Sequence, residues 1–210
     1  MKKLILLMTV VSVTASLFAQ KNTSFFDKQL LGKGIEPSSM QISVDAYPFL
    51  FLSKGGGGSV GLETGNWQAG IIGFSVVPPD YIKNTFFNNA DNIIVRRNNA
   101  VELFVNYYPR KDRKGIYAGV LGGPEWFNME DKISGASETI IKNYAVPRIG
   151  IRAFPFKKIC YADASFGWSF NLSGTEKRTL DQTTYSAKGG GFIYFLQLGA
   201  RFNMTKNKKQ

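Results

Sequence analysis

Residues 191–203 read GFIYFLQLGARFN, and alternate positions in this stretch separate into two faces. One face is wholly apolar and comprises Phe192, Tyr194, Leu196, Leu198, Ala200 and Phe202. The other face turns polar and carries Gln197, Arg201 and Asn203. A period of two predicts a β-strand. An apolar face with aromatic ends, opposite a polar face, is typical of a strand between lipid and a filled or wet lumen. The edge strand of a soluble sandwich is the alternative for this stretch.

The first residues favour an exported protein. A basic start at Met1–Lys3 precedes an apolar run, Leu4–Val13, and the small-residue stretch Ala15–Ala19. This pattern predicts a secretory signal peptide over residues 1–19. The apolar run is too short to span a bilayer as a helix, and no other window approaches about 18 uncharged apolar residues, which excludes a helical inner-membrane protein. The polar residues 20–39 are interpreted as a periplasmic lead-in.

The composition indicates an all-β chain. Glycine accounts for 22 residues, aromatic residues for 14% and cysteine for one. A single cysteine excludes a disulfide-stapled secreted domain. Eight runs alternate in hydropathy, at about residues 40–52, 59–63, 67–77, 100–108, 116–129, 144–154, 160–172 and 191–203. We predict an eight-stranded antiparallel up-and-down transmembrane β-barrel over residues 40–204, followed by a basic tail, 205–210.

The connections between these runs alternate in length. Long polar loops are predicted at 80–99, 130–143 and 173–190, and tight turns at 64–66, 109–115 and 156–159. A short glycine-rich connection at 54–58 departs from this alternation. Outer-membrane barrels have short periplasmic turns and longer extracellular loops. The pattern therefore predicts an outer-membrane barrel with both termini in the periplasm.

The basic residues concentrate at the predicted periplasmic rim. The formal net charge is +11, and removing Lys2 and Lys3 with the signal peptide leaves +9. Most of this excess lies in residues 110–114, in Lys157 and Lys158, and in the tail. No aromatic groove separates these charges, so we interpret them as solvated turns near anionic headgroups and expect no nucleic-acid partner.

Charged residues also occur on the polar faces of the strands. If the hairpin at residues 157–158 is tight, Arg152 lies opposite Asp163 on that face. The interior of an eight-stranded barrel is just filled by side chains, so we predict a lumen plugged by an arginine–carboxylate network. Such a network either gates ions or a small solute, or it only holds the barrel together. The candidate residues are Asp45, Glu63, Glu102, Glu125, Arg148, Arg152, Asp163 and Arg201.

Aromatic residues near the strand ends suit the girdles found at membrane interfaces. A platform that stacks carbohydrate rings is the alternative. The candidate girdle residues are Trp67, Tyr107, Tyr117, Trp126, Trp168, Phe192 and Phe202.

The residues that most enzymes require are missing from the sequence. The chain contains no histidine, so a Ser–His–Asp triad cannot be built. Cys160 falls on the predicted lipid-facing side and has no neighbouring base, so it is interpreted as inert. No G-x-S-x-G, P-loop or zinc spacing occurs. We therefore expect no enzymatic activity, no cofactor and no metal site.

Three stretches carry a family resemblance: the signal ending Phe18–Gln20, the hairpin VNYYPRKDRKGIYAG at 105–119, and the last strand. With them the chain resembles small outer-membrane β-barrel proteins of the OmpA transmembrane-domain and OmpX type, especially those of Bacteroidetes-like bacteria. The resemblance implies an outer-membrane location among lipid and insertion by the barrel assembly machinery. It assigns the insertion signal to Gln197, Gly199, Phe202 and Met204. The tail Thr205–Gln210 departs from the family pattern, in which many chains end at the aromatic residue.

Three functions remain open at this point, since one fold hosts many functions. The first is a structural or surface-interaction barrel whose loops meet an unknown extracellular ligand. The second is a narrow pore for ions or small solutes. The third is a secreted lipocalin-like binder, which requires apolar residues around an internal cavity.

Overall fold

Eight antiparallel strands close into a barrel, which confirms the predicted fold class. The computed structural model describes residues 40–156 and 159–204. The barrel order is β1-β11-β8-β7-β6-β5-β3-β2, and it closes where Gln41 of the first strand pairs with Asn203 of the last. The barrel strands are β1 (Gln41–Ala46), β2 (Gly56–Thr64), β3 (Trp67–Val76), β5 (Ile93–Tyr107), β6 (Gly115–Asp131), β7 (Ser137–Phe156), β8 (Cys160–Asn171) and β11 (Gly190–Asn203).

Side chains alternate between the outside and the lumen, as a pleated strand requires. Along β11, Phe192, Tyr194, Leu198 and Phe202 are exposed, whereas Gln197 and Arg201 are buried. The other barrel strands add apolar exposed residues, including Val44, Val60, Ile71, Leu103, Ile149 and Phe166. The barrel therefore has an apolar outside and a lumen containing many polar residues. This arrangement favours the membrane barrel over the lipocalin alternative, which requires apolar residues around an internal cavity and a polar outside.

The two ends of the barrel differ, and we name them by their connections. The turn end carries the tight turns after β2 and β5; the loop end carries the longer connections. At the loop end the first predicted strand is too long, because a helix α1 (Pro48–Leu52) follows Ala46. Pro48 suits the first helical turn, where its missing N–H costs no hydrogen bond. The glycine run, predicted as a connection, instead begins β2, with Gly57 opposite Phe74.

The three predicted loops are mostly ordered secondary structure. Residues 80–99 form helix α2 (Asp80–Phe86), β4 (Phe87–Asn88) and the start of β5. Residues 130–143 are largely the extended hairpin of β6 and β7. Residues 173–190 contain the hairpin of β9 (Lys177–Leu180) and β10 (Thr183–Ala187). The hydropathy pattern did not predict these short elements, because tertiary contacts stabilise them and their own sequences carry little periodicity. Neither helix of the described chain is long and apolar enough to cross a membrane.

These elements form a cap over the loop end. We use this name for α2 and the three-stranded sheet β4-β10-β9. Phe86, Phe87 and Tyr185 of the cap pack against Phe127 and Tyr144 of the barrel. Ile93, Val95, Met129 and Ile140 complete the same buried apolar cluster. The cap therefore shares its core with the inward faces of β5, β6 and β7.

Several predicted segments lie outside the described residues. They are the signal peptide (1–19), the lead-in (20–39), the lysine pair of the turn at 157–158 and the basic tail (205–210).

The two glycines of β3 provide a test of the fold. A Cβ at Gly70, which faces the lumen, would lie 2.1 Å from the Val60 carbonyl oxygen and 2.8 Å from the Phe104 ring, whereas a Cβ at Gly73 meets nothing within 4 Å. We expect Gly70→Ala to lower the free energy of unfolding by about 1–3 kcal/mol through overpacking. Gly73→Ala should leave it unchanged or raise it. Urea titration of the refolded barrel measures both, and equal effects would contradict this packing.

Candidate functional site

Arg152 is the centre of a buried ion cluster near the turn end. Its Nη1 lies 2.7 Å from Glu63 Oε1 on β2, and its Nε lies 3.2 Å from Asp163 Oδ2 on β8. Arg152 and Asp163 are opposite each other in the β7–β8 register. Its Nη2 donates to Gln68 Oε1 at 2.8 Å. The guanidinium also lies over the Tyr161 ring, 4.2 Å from its centroid. Every face of this buried cation therefore has a partner.

A second arginine enters the cluster from the turn after β5. Arg113 was assigned to the solvated rim, and that interpretation was wrong because its side chain is 1% exposed. Its Nε lies 2.9 Å from Glu63 Oε2, and its Nη2 donates to Gln41 Oε1 at 2.6 Å. Arg113 has a positive φ of 54°, a conformation that turns the chain back over the lumen. No period of two extends into this turn, so the sequence held no signal for an inward Arg113.

Tyr117 also belongs to the lumen rather than to the aromatic girdle. It is 1% exposed, and its hydroxyl donates to Asp163 Oδ1 at 2.7 Å. The signal was available in the sequence, since Tyr117 lies an even number of positions from the inward Glu125 along β6 and must therefore share its face. We name Glu63, Arg113, Tyr117, Arg152 and Asp163 the turn-end cluster.

Asp45 and Arg201 flank this cluster. Asp45 accepts a hydrogen bond from Ser59 Oγ at 2.7 Å. Arg201 Nη1 lies 3.8 Å from Glu63 Oε2, and the guanidinium covers the Phe154 ring at 4.1 Å. Gly199 makes room for Asp45, because a Cβ there would come within 2.3 Å of the carboxylate and 2.4 Å of the Tyr161 ring. The three carboxylates Asp45, Glu63 and Asp163 balance Arg113, Arg152 and Arg201 in formal charge.

Arg148 lies nearer the loop end of the barrel than the turn-end cluster does. Its Nη2 donates to Asn106 Oδ1 at 3.1 Å, and three rings, those of Phe104, Tyr117 and Phe195, surround it at 5.7–5.8 Å. Within the described residues, no carboxylate oxygen lies within 4.0 Å of it, and its Nε and Nη1 have no hydrogen-bond partner. Cation–π contacts to the rings stabilise the guanidinium in place of an ion pair.

Glu102 and Glu125 face the lumen but do not join the predicted network. They are 3% and 5% exposed. In the described part of the chain, no lysine or arginine nitrogen lies within 4.0 Å of either carboxylate. Of the eight candidate residues, the structure thus brings Glu63, Arg152, Asp163 and Arg201 into direct ionic contact. It leaves Arg148, Glu102 and Glu125 apart.

The remaining candidate residues lie mostly on the outside. Trp67, Tyr107, Trp168, Phe192 and Phe202 are exposed on the outer surface, Trp126 is half-buried, and the Trp67 and Tyr107 rings pack together at 4.9 Å. For the insertion signal, Gln197 is buried, Gly199 half-buried, and Phe202 and Met204 are exposed. Cys160 is exposed at the start of β8.

Ion pairs outside the barrel wall belong to the loop end. A hydrogen bond from Lys83 holds the pKa of Asp80 below its ordinary value, and one from Arg96 does the same for the pKa of Glu130. Arg96 Nε lies 2.6 Å from Glu130 Oε2, and both side chains reach solvent. These pairs support the base of α2 and the long β5–β6 ladder.

The polar side chains of the lumen are mostly charged, phenolic or amide groups. Asp, Glu, Arg, Tyr and amide side chains dominate it, and their hydrogen bonds run mostly from one wall to another. Among the described residues, no group of three or more His, Cys, Asp or Glu side chains converges as a metal site would. The arrangement can hold the walls of the barrel together through ion pairs and hydrogen bonds.

Comparison with known proteins gives limited similarity. No protein-family model matches the chain, and no curated protein does. Among solved structures, the chain is similar to the N-terminal β-barrel domain of Pseudomonas aeruginosa OprF, with 17% sequence identity and a TM-score of 0.46. That similarity covers 80% of this chain and 100% of the OprF domain.

Removing Arg152 tests whether the turn-end cluster holds the barrel. Arg152→Met leaves Glu63 and Asp163 buried with less compensation, so the free energy of unfolding should fall by about 3–5 kcal/mol. Arg96→Met removes an exposed ion pair on the same barrel and should cost less than about 1 kcal/mol. Urea titration of the refolded variants compares them. Similar losses in the two variants would show that the cluster does not contribute as a buried network.

Proposed function

We propose that the protein is an integral outer-membrane β-barrel with a structural or surface-interaction role, which its cap exerts outside the cell. The observation that carries this proposal is the apolar outer surface around a closed barrel. Exposed residues of this kind on neighbouring strands are Val60, Ile71, Leu103, Val120, Ile149, Phe166 and Leu198. Water disfavours so continuous an apolar surface, whereas hydrocarbon accommodates it.

The proposed orientation follows from the two ends. The turn end faces the periplasm and the cap faces outward, as the short turns and long loops of such barrels suggest. Outer-membrane lipid is then the main partner, and the barrel assembly machinery inserts the chain through β11 and its Gln197, Gly199, Phe202 and Met204. The extracellular partner of the cap is an unidentified ligand.

A structural or surface role fits the lumen better than transport does. The ion pairs of the turn-end cluster cross the lumen near one end, and the cap packs over the other with a buried apolar cluster. A second apolar cluster, which includes Tyr47, Ile72, Phe104, Leu121 and Val146, lies inside the barrel. A solute crossing the barrel would have to disrupt ion pairs and apolar packing together. This arrangement argues against the narrow pore.

The cap provides the surface for recognition. Hydrogen bonds hold it to the barrel, including one from the Tyr185 hydroxyl to Glu138 Oε1 at 2.5 Å and one from Lys83 Nζ to the Ile93 carbonyl oxygen at 3.1 Å. A rigid surface loses less conformational entropy on binding than a mobile loop does. The cap is therefore suited to present fixed side chains to a partner.

Site-specific labelling tests the location and orientation. In a Cys160→Ser background, Ser134→Cys introduces a thiol in the exposed turn at the loop end, and Lys111→Cys introduces one in an exposed turn at the turn end. A membrane-impermeant maleimide applied to intact cells should label the first variant and label the second only after lysis. The reverse pattern would refute the orientation, and recovery of the protein in the soluble fraction would refute the proposal.

Planar-bilayer recording separates the structural role from the pore. We expect the folded protein to give no discrete conductance steps, because the proposal has the turn-end cluster and the cap close the lumen at its two ends. Heat-modifiable migration on gels establishes that the inserted protein is folded. Conductance steps that change in Glu125→Ala, with the exposed Glu176→Ala as control, would favour the narrow pore instead.

A further inference from the structure

Glu102 and Glu125 form a pair of buried carboxylates on adjacent strands. The β5–β6 register places Ala100 opposite Glu125, so Glu102 is displaced from Glu125 by two residues on the same lumen-facing side. Diagonal neighbours of this kind have Cβ atoms about 7–8 Å apart or less, within reach of two glutamate side chains. The two carboxylates are close enough to interact electrostatically.

Few cationic or hydrogen-bond-donating groups of the protein compensate the negative charge of this pair. Glu125 accepts one hydrogen bond, from Asn98 Nδ2 at 2.6 Å, and within the described residues no donor reaches Glu102. Lys142 lies opposite Glu125 in the register, but its Nζ donates to the Gly174 carbonyl oxygen at 3.1 Å. Arg148 acts on Glu102 only from beyond ion-pair distance. Buried carboxylates cost free energy unless a cation compensates them.

Two further oxygens point to a ligand at the same place. Asn98 is 5% exposed; its Nδ2 donates to Glu125, and its Oδ1 has no hydrogen-bond partner. Tyr144 is 2% exposed, interacts electrostatically with Glu125, and its hydroxyl is also unpartnered. Buried polar atoms are almost always satisfied, so oxygens left over beside two carboxylates indicate a missing partner.

The residues around the carboxylate pair indicate which kind of ligand it can bind. The cluster around Phe127 covers the pair from the cap side, and the cluster around Leu121 and Phe104 packs below it. Carboxylate, amide and phenol oxygens are hard donors, and hard cations prefer oxygen ligands. An anion would meet two like charges here.

We propose that Glu102 and Glu125, with Asn98 Oδ1 and the Tyr144 hydroxyl, hold a single hard cation of the Ca²⁺ class inside the barrel, beneath the cap. This inference goes beyond the proposed function, because it requires only the fold and not a membrane location. Two carboxylates are few for a calcium site, so binding should be weak, with a dissociation constant on the order of 10⁻⁴–10⁻³ M. The cation would offset the repulsion within the pair and fix Asn98 and Tyr144.

Terbium luminescence tests the site in detergent. Tb³⁺ substitutes for Ca²⁺ at oxygen sites, and the Tyr144 ring would sensitise its emission. The refolded protein is titrated with Tb³⁺, and a second sample is refolded in its presence so that the cap does not limit access. We expect saturable emission from one ion per barrel, displaced by Ca²⁺. Glu102→Gln/Glu125→Gln should weaken the affinity at least about tenfold by removing both charged ligands.

The control is Glu130→Gln/Glu176→Gln, which removes two carboxylates at the loop end and should leave the titration unchanged. Heat-modifiable migration verifies that every variant is folded. Absence of saturable emission in both wild-type samples would overturn the proposal and indicate that a proton compensates the pair. Emission that survives Glu102→Gln/Glu125→Gln would overturn it too, since the ion would then be bound elsewhere.

Discussion

The ion pairs that Arg152 makes across the lumen are the constraint on which the rest of the barrel depends. From β7 Arg152 reaches Glu63 on β2 and Asp163 on β8. Residues 63 and 152 meet only when the sheet has curved round and closed. A buried guanidinium without both carboxylates would cost several kcal/mol. Closure of the sheet and compensation of the charge therefore require each other.

The same ion pairs help to define the register of β7 against β8. Shifting β7 by one residue relative to β8 would point Arg152 outward and separate it from Asp163. Ile151 would then face the lumen in its place. A one-residue shift of register is thus disfavoured twice: apolar side chains would leave the outer surface, and charged side chains would leave the ion pairs of the lumen. Tyr161 and Tyr108 add to this by enclosing the Arg152 guanidinium at 4.2 Å and 4.8 Å.

Strand alternation predicted the barrel well, because it reports directly which face of a pleated sheet is buried. It anticipated the eight strands and the pairing of Arg152 with Asp163. Tyr117 was misassigned because alternation was not followed along the whole of β6. It lies an even number of positions from Glu125 and therefore faces the lumen as Glu125 does. Arg113 shows a physical limit, since a turn residue has no periodicity to follow. The cap was missed for a related reason: α2 and the β9–β10 hairpin owe their order to Phe86, Leu180 and Tyr185 packing against the barrel.

The barrel wall is very uneven in height. β7 has 20 residues, whereas β1 has 6 and is followed at once by α1, whose Phe51 and Leu52 are strongly exposed. At about 3.3 Å per residue these strands span roughly 66 Å and 20 Å along their lengths. In the bilayer of the proposed function, the exposed Phe51 and Leu52 of α1 would continue the apolar outer surface where β1 ends.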